Sequence, residues 1–385
     1  MRISSISLHP LTIGLQSTFR HALSERSATH TVIVVLDTGS GLVGYGEILP
    51  RAYLTGETIE RVLNETGPAL AQQFLRQRFM EKNDVLPFLR TQLAGIGRDL
   101  ACFAGFEVAL LDLAGQAFGF SVGEVLGEKP SAELPAGVVI GFEIPTRSLE
   151  TYCASLRLSG RRYVKLKVGL PDDLTRARVV SGVFKPAAIR LDANGAWRSA
   201  EDAIRALAAM IDGQIPLASV EQPIAAEDLP GLRRIREETR IPVMVDESLC
   251  TLADAERLID AGAADLFNIR LGKCGGFLAS HRLVERARRA GLSCHLGSLV
   301  GQTGILCRAS EVFGRFVSAF DCLEGKGQNE FLLSEDLLDQ PSEARTADLG
   351  APGLGVRISP ARLARLSSAE PIRFVPTTLP ALDAL

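Results

Sequence analysis

Three things are scarce in this sequence of 385 residues: paired cysteines, clustered basic residues and long apolar runs. The cysteines, at 102, 153, 250, 274, 294, 307 and 322, form no C-x-x-C pair and no zinc-type spacing. A scattered, odd-numbered set excludes a disulfide framework and reads as reduced, buried thiols of a cytoplasmic protein. Lysine and arginine are dispersed and the net charge is −3, so no basic patch invites a nucleic acid. No uninterrupted apolar run is long enough to span a bilayer, so no membrane role is expected. The opening Met1-Arg2-Ile3-Ser4-Ser5-Ile6 lacks the apolar centre of a signal peptide and has strand composition instead. What remains is ordinary globular material, sufficient for a large core without staples. The length suggests two or three domains of about 150 residues, or fewer where a barrel makes one long unit.

The rhythm of the chain changes near Pro135. Before it, residues 2–15, 31–37 and 42–48 have strand composition, with turn residues from Asp37 to Gly41. From Gly56 to about Gly119 the pattern is helical, which together predicts a small α+β domain. Beyond Pro135, short apolar runs recur at 136–141, 163–168, 189–192, 217–221, 242–246, 265–270, 292–296 and 317–322, with amphipathic helical segments such as Leu252 to Ala261 and Leu278 to Ala290 between them. Eight such strand–helix units predict a closed parallel barrel. After about 345 the chain turns Pro/Gly-rich, and Gly353-Leu354-Gly355-Val356 suggests a last strand returning to the first domain. The expected fold is therefore α/β: a TIM-like (β/α) barrel over 133–345, with an α+β capping domain built from 1–132 and the tail 346–385.

In a parallel barrel the C-terminal strand ends converge on one mouth, where chemistry sits. The polar residues at those ends are Lys167, Asp192, Glu221, Asp246, Arg270 and His295, separated by 25, 29, 25, 24 and 25 residues. A charge that recurs once per strand–helix unit, always at the same end, is not accounted for by core packing. Three consecutive ends carry carboxylates, which would repel one another unless a cation sat among them. An all-oxygen set favours Mg²⁺. Taken singly, each acid would read equally well as a helix cap or loop acid.

The preceding strand ends Val164-Lys165-Leu166-Lys167-Val168-Gly169. Residues two apart face the same way, so Lys165 and Lys167 both point inward while Leu166 packs outward. Adjacent buried ammonium groups disfavour each other's charge, and a lysine with a lowered pKa is a base. A structural pair that merely balances the acids is the alternative.

The order K-x-K, D-x-N, E-Q-P, D-E-S and N-I-R-x-x-K-x-G-G resembles the muconate lactonizing branch of the enolase superfamily, and the likeness covers nearly the whole chain. Gly44-Tyr45-Gly46-Glu47, Tyr53-Leu54-Thr55-Gly56-Glu57 and Ala109-Leu110-Leu111-Asp112-Leu113-Ala114-Gly115 resemble that family's capping domain. The resemblance implies Lys167 as base, Lys165 as its electrostatic neighbour, and Asp192, Glu221 and Asp246 as Mg²⁺ ligands. Asn194, Glu247, Lys273, His295 and Tyr53 become candidates for substrate contact or support.

One position departs from the family pattern. In Asn268-Ile269-Arg270-Leu271-Gly272-Lys273-Cys274-Gly275-Gly276, Arg270 stands where a second lysine is usual. Arginine keeps its proton and can stabilise negative charge, but it is a poor base. Lys273 is expected to face the helix side or the loop. Another branch of the superfamily uses a histidine at the His295 position together with an aspartate from the preceding strand, which this chain lacks; a substrate contact or hydrogen-bonded filler is the expectation. The glycines from Gly297 to Gly304 would also suit a phosphate site after strand seven.

These residues predict a Mg²⁺-dependent enzyme that takes the α-proton of a small-molecule carboxylate held between the barrel mouth and cap loops near 16–30 and 49–57. With one competent base, β-elimination of the o-succinylbenzoate synthase kind or cycloisomerisation of the muconate kind is expected. Epimerisation of an amino-acid derivative or dipeptide is the alternative, and a non-catalytic barrel that binds metal and carboxylate is a third class. A homo-oligomer is left open.

Overall fold

A computed structural model of the chain describes residues 1–21, 24–127, 129–339 and 349–376. Parts of the expected tail, at 346–348 and 377–385, and the expected domain junction at 345 lie outside the described residues. Strands β1 (Ser5–His21), β2 (Ser24–Asp37) and β3 (Val43–Ile48) form an antiparallel meander, which a strand from the far end of the chain, Ile372–Phe374, extends beside β1. Ile6 lies opposite both Leu36 and Phe374. Ile6 and Leu8 on β1 and Val32, Val34 and Leu36 on β2 are buried on one face of the sheet, and Leu11, Ile13 and Ile33 are buried on the other. The turn after β2 closes where Gly39 and Gly41 take φ of +72° and +97° and the Gly39 N–H donates to Asp37 Oδ1 at 2.6 Å.

Two expectations for this region need correction. Residues 16–21 and 24–30 of the expected loop are strand: β1 and β2 run on side by side, with Phe19 opposite Arg26 beyond an irregularity after Gly14. The stretch is mostly polar, so backbone pairing rather than apolar alternation holds it, and composition does not reveal it. Gly353 to Val356 is not a strand either. Gly353 bridges to Ser121 and donates its N–H to Phe120 O at 2.9 Å, and Leu354 is buried.

Helix α1 (Leu100–Phe118) lies across the sheet. Its contact is made at backbone distance: a Cβ at Gly46 would come within 1.9 Å of Gly105 O, and one at Gly44 within 2.3 Å of Ala109 O. Only glycine permits that approach. Among the described residues α1 is the one helix long and apolar enough to cross a membrane, yet 89% of its apolar stretch is buried inside the protein. It is a core helix, broken by Glu107 and Asp112.

The barrel strands are β4 (Ala136–Ile140), β5 (Tyr163–Lys167), β6 (Ile189–Asp192), β7 (Leu217–Glu221), β8 (Val243–Val245), β9 (Leu266–Ile269), β10 (Ser293–Leu296) and β11 (Leu323–Glu324). They close in sequence order, all parallel. Seven of the eight fall where periodicity placed them. The eighth is Leu323–Glu324, not 317–322. A preceding helix runs through Phe316, and Val317 to Cys322 is an irregular connector whose apolar side chains pack without pairing. A short apolar run cannot distinguish a buried strand from a buried connector.

The capping sheet meets the barrel along a seam of buried carboxylates, two of which sit on helix N-termini. Glu47 of β3 accepts from Thr303 N at 3.0 Å, Thr303 Oγ1 at 2.7 Å and Leu306 N at 3.3 Å, at the start of the helix Gly304–Phe316. Glu107 of α1 accepts from Phe277 N and from Leu278 N (3.1 Å) at the start of the helix Gly276–Arg289. Asp112 accepts from Tyr45 N and Leu354 N. The free N–H groups and dipole of a helix start favour an anion there. A small apolar cluster of Leu49, Leu54, Leu299 and Leu306 packs in the same seam. The glycine-rich segment after strand seven is thus no phosphate cradle: Glu47 already occupies the N–H groups that a phosphate would need.

Candidate active site

The parallel register sets the site. Lys167 pairs with Asp192, and Asp192 with Glu221, so three strand-end residues stand in one row; Asp246 follows directly after β8. Lys165, Lys167, Asp192, Glu221, Asp246, Asn194, Arg270, Lys273 and His295 are all buried. The sequence-predicted charges therefore meet in one place.

Lys165 Nζ lies 2.9 Å from Asp192 Oδ2, 3.1 Å from Glu221 Oε2 and 2.6 Å from Glu324 Oε1. Lys167 Nζ lies 2.7 Å from Asp192 Oδ2 and donates to Asn194 Oδ1. Arg270 Nη2 lies 2.7 Å from Asp246 Oδ2 and 3.1 Å from Glu221 Oε1. Lys273 does not face away as expected. Its Nζ turns back to Asp246 Oδ1 (2.9 Å) and to the carbonyls of Asp246 (2.7 Å) and Asn268 (3.1 Å). The short helix Leu271–Cys274 begins directly after Arg270 and carries the lysine round beneath the strand end.

At Lys165 the electrostatics run against the expectation of a softened lysine. Burial alone would lower the Lys165 ammonium, but Asp192, Glu221 and Glu324 outweigh it and raise its pKa. Burial would raise Asp192, yet Lys165 and Lys167 hold it below the usual carboxylate range. Burial also opposes the charge of Asp246, and Arg270 and Lys273 nonetheless keep it low. Lys273 is pushed up to about 12, chiefly by Asp246 against the opposing effect of burial. Glu247, by contrast, rises to about 8 through burial and the adjacent Asp246 and Asp192.

Asn194 and Gln222 hold φ of +45° and +35° at their strand ends, a conformation that costs free energy for residues with a Cβ and tends to collect at working sites. Asn194 links Lys167 to Glu247, donating from Nδ2 to Glu247 Oε1 at 2.9 Å. Gln222 accepts from Asp246 N and Ser248 N, both at 3.1 Å, and so fixes the loop that carries Asp246. His295 Nε2 lies 2.6 Å from Arg190 Nη1 and 3.4 Å from Glu324 Oε2. Burial, then Arg190, lowers its pKa to about 4, so it is a neutral acceptor inside the barrel. Tyr53 is 39% exposed at the cap side; its ring lies 5.7 Å from the Arg26 guanidinium, and Arg270 and Asp246 act on it electrostatically.

Sequence reasoning missed Glu324, Arg190, Gln222 and Asn268. Glu324 was hidden by the misplaced eighth strand; a period of about 25–29 residues continued past His295 would have pointed to it. Gln222 was in plain view within E-Q-P. Asn268, which donates to Glu221 Oε1 at 2.7 Å, lies two residues before Arg270 and shares its face. Nothing local marks Arg190, an interior residue two before Asp192.

Among the described residues, no three metal-ligating side chains converge on one point as a bound ion would draw them. The donor chemistry nonetheless suits a hard cation. Asp192, Glu221 and Asp246 offer only oxygen, all fully buried, and Asp246 Oδ2 and Glu247 Oε2 have no hydrogen-bond partner.

Comparison with known proteins gives two matches that together span most of the chain. Residues 149–362 match the family described as enolase C-terminal domain-like, and residues 9–127 match the mandelate racemase / muconate lactonizing enzyme N-terminal domain. An N-succinyl-L-Arg/Lys racemase of Bacillus cereus is 28% identical over 78% of this chain and 80% of its own length. Its crystal structure superposes with a TM-score of 0.84 at 25% identity, over 97% of this chain and 100% of that one. A hydrophobic dipeptide epimerase of Enterococcus faecalis is 30% identical over 79% of this chain and 84% of its own. A dipeptide epimerase structure from that organism, complexed with Mg and the dipeptide L-Leu-L-Tyr, matches with a TM-score of 0.78 at 25% identity, covering 92% and 99%. A chloromuconate cycloisomerase of Cupriavidus pinatubonensis is 26% identical over 84% of this chain and 87% of its own.

Proposed function

The chain belongs to the mandelate racemase / muconate lactonizing enzyme family of the enolase superfamily, and from that premise we propose that it removes the α-proton of a small carboxylate with Lys167 as its single base. Asp192, Glu221 and Asp246 would hold Mg²⁺. Bound there, the ion would supply charge stabilisation to the substrate carboxylate as a Lewis acid. Lys167 stands at the strand end, oriented by Asn194, where it takes the proton and returns it. Lys165 keeps its charge, fixed by three carboxylates, and stabilises the negative charge that develops as the proton leaves. Glu324 holds Lys165 from behind, and Arg190 holds Glu324 while His295 accepts from Arg190. Substrate would enter between the mouth and Tyr53.

The observation that carries the one-base reading is Arg270. Its guanidinium lies on Glu221 and Asp246, where a second lysine base would be needed for proton transfer on the opposite face. Elimination, or the cycloisomerisation that the name of the Cupriavidus relative describes, needs one face only. Epimerisation is the second reading. It is favoured by the racemase and epimerase relatives, whose names make N-succinyl amino acids and dipeptides the first substrates to try.

α-Proton exchange in D₂O decides between them. With both enantiomers of N-succinyl amino acids and with dipeptides, one stereoisomer should exchange and its mirror image should not. Equal exchange from both would overturn the one-base reading and make Lys273 the residue to test. No exchange from any carboxylate, with Mg²⁺ bound, would favour a barrel that binds without turnover.

A further inference from the structure

Four cationic side chains touch the three candidate ligands: Lys165, Lys167, Arg270 and Lys273. A divalent ion entering that set adds two further positive charges to a buried centre, and at a few ångströms like charges are costly unless one withdraws. The four are not held alike. Lys165 is bonded by three carboxylates. Lys167 has Asp192 and Asn194. Lys273, 0% exposed in its side chain, has a carboxylate and two carbonyls.

Arg270 is tethered least. Its described polar contacts are Glu221 Oε1 and Asp246 Oδ2, and its Nε is buried with no hydrogen-bond partner. The contact to Asp246 is close at 2.7 Å, yet Asp246 Oδ2 accepts no hydrogen bond, so the N–H is not aimed at the oxygen. An ion pair without hydrogen-bond alignment forgoes much of what arginine offers a carboxylate. Its two partners are also two of the three candidate metal ligands.

We propose that Arg270 is an internal counter-ion that competes with the divalent ion for Glu221 and Asp246, so that metal loading expels the guanidinium from both carboxylates. The inference rests on those residues being metal ligands. It gives the arginine a role that follows from its difference from lysine. One nitrogen, Nη2, touches both carboxylates, so the arginine differs here from lysine by its longer reach and its permanent charge. Metal-free and metal-loaded forms then differ in one discrete contact, and affinity for the ion is set partly by the strength of that contact.

The test is Mg²⁺ binding by isothermal titration calorimetry, without substrate, in sodium chloride and in the same millimolar concentration of guanidinium chloride. Arg270→Ala should bind Mg²⁺ at least about tenfold more tightly than the unaltered protein. Free guanidinium should occupy the vacated place and weaken that binding again, while leaving the unaltered protein unchanged. Arg270→Lys should tighten Mg²⁺ binding by a smaller factor, because the shorter side chain keeps a positive charge but holds it farther from the two carboxylates; it decides the question if the alanine variant does not fold. Equal or weaker Mg²⁺ binding by the variants, or no response of Arg270→Ala to guanidinium, overturns the proposal while leaving the ligand assignment standing. Absence of Mg²⁺ binding in all three proteins overturns the ligand assignment, and this inference with it.

Discussion

Carboxylates are buried in two regions of this protein, and they are treated in opposite ways. At the barrel mouth Asp192, Asp246 and Glu324 lie against lysine and arginine, and the opposing charges hold all three below the usual range although burial pushes the other way. At the seam Glu47, Glu107 and Asp112 have only neutral N–H and O–H donors as hydrogen-bond partners. Burial lifts them to about 7, about 8 and about 6. A buried carboxylate stays charged where cations outweigh burial and rises where its partners are neutral, and also at Glu221 and Glu247 of the mouth, where burial and neighbouring acids raise it. The difference teaches that burial alone does not mark a catalytic acid; the identity of its partners does.

The sharpest way to break the comparison is to remove one residue from each region and read both activity and folding. At the mouth, Lys167→Ala should lower α-proton exchange by about 10²–10⁴-fold, the usual contribution of a positioned base. Asp192 keeps Lys165 as partner, so thermal stability should change little. A variant that exchanges protons at an undiminished rate would remove Lys167 from the mechanism.

The next largest effect belongs to the seam. Glu107→Ala leaves the N–H groups of Phe277 and Leu278 buried without an acceptor and should cost about 2–4 kcal/mol of stability. Glu107→Gln retains one acceptor oxygen and should cost about 1 kcal/mol. Denaturant unfolding measures both. If alanine is tolerated as well as glutamine, the carboxylate does not hold the seam.

The mouth was legible in the sequence because strand ends recur with the period of a barrel, and neither core packing nor solvation gives a charge any reason to keep that period. The seam was not, because its partners are backbone N–H groups, which leave no trace in residue type. Glu107 reads as an impurity in an apolar helix until the start of the helix Gly276–Arg289 is seen against it. The pair Gly275-Gly276 stands out as part of a motif, but its reason is physical. Both glycines have φ above +80°, and a Cβ on Gly276 would lie 1.9 Å from Glu107 Oε2. Arg270 was legible as a departure. That its guanidinium lies across two candidate ligands, and that Lys273 turns back to one of the same two, Asp246, depended on side-chain paths that spacing does not give.

The remaining test is the pH dependence that separates the two regions. Glu107 has an ordinary value of 4.5 in the unfolded chain and about 8 in the folded one, so over that interval folding takes up a proton. The native state then binds more protons than the unfolded state, and stability falls as pH rises. The contribution is fully present below about pH 4.5, is lost progressively up to about pH 8, and levels off above. Asp192 has the opposite sign: its lowered value contributes stability above pH 3.8 that is lost only in acid. The seam should therefore weaken on the alkaline side and the mouth on the acid side. Glutamine at 107 cannot titrate, so the melting temperature of the unaltered protein minus that of Glu107→Gln isolates the one group. That difference should decline steadily from pH 5 to pH 8 and flatten beyond it. A difference that stays constant over this range would mean that Glu107 remains charged in the folded seam. The helix N-terminus would then be stabilising the anion more strongly than burial opposes it, and the contrast between the two regions would reduce to one of partners without a difference in protonation.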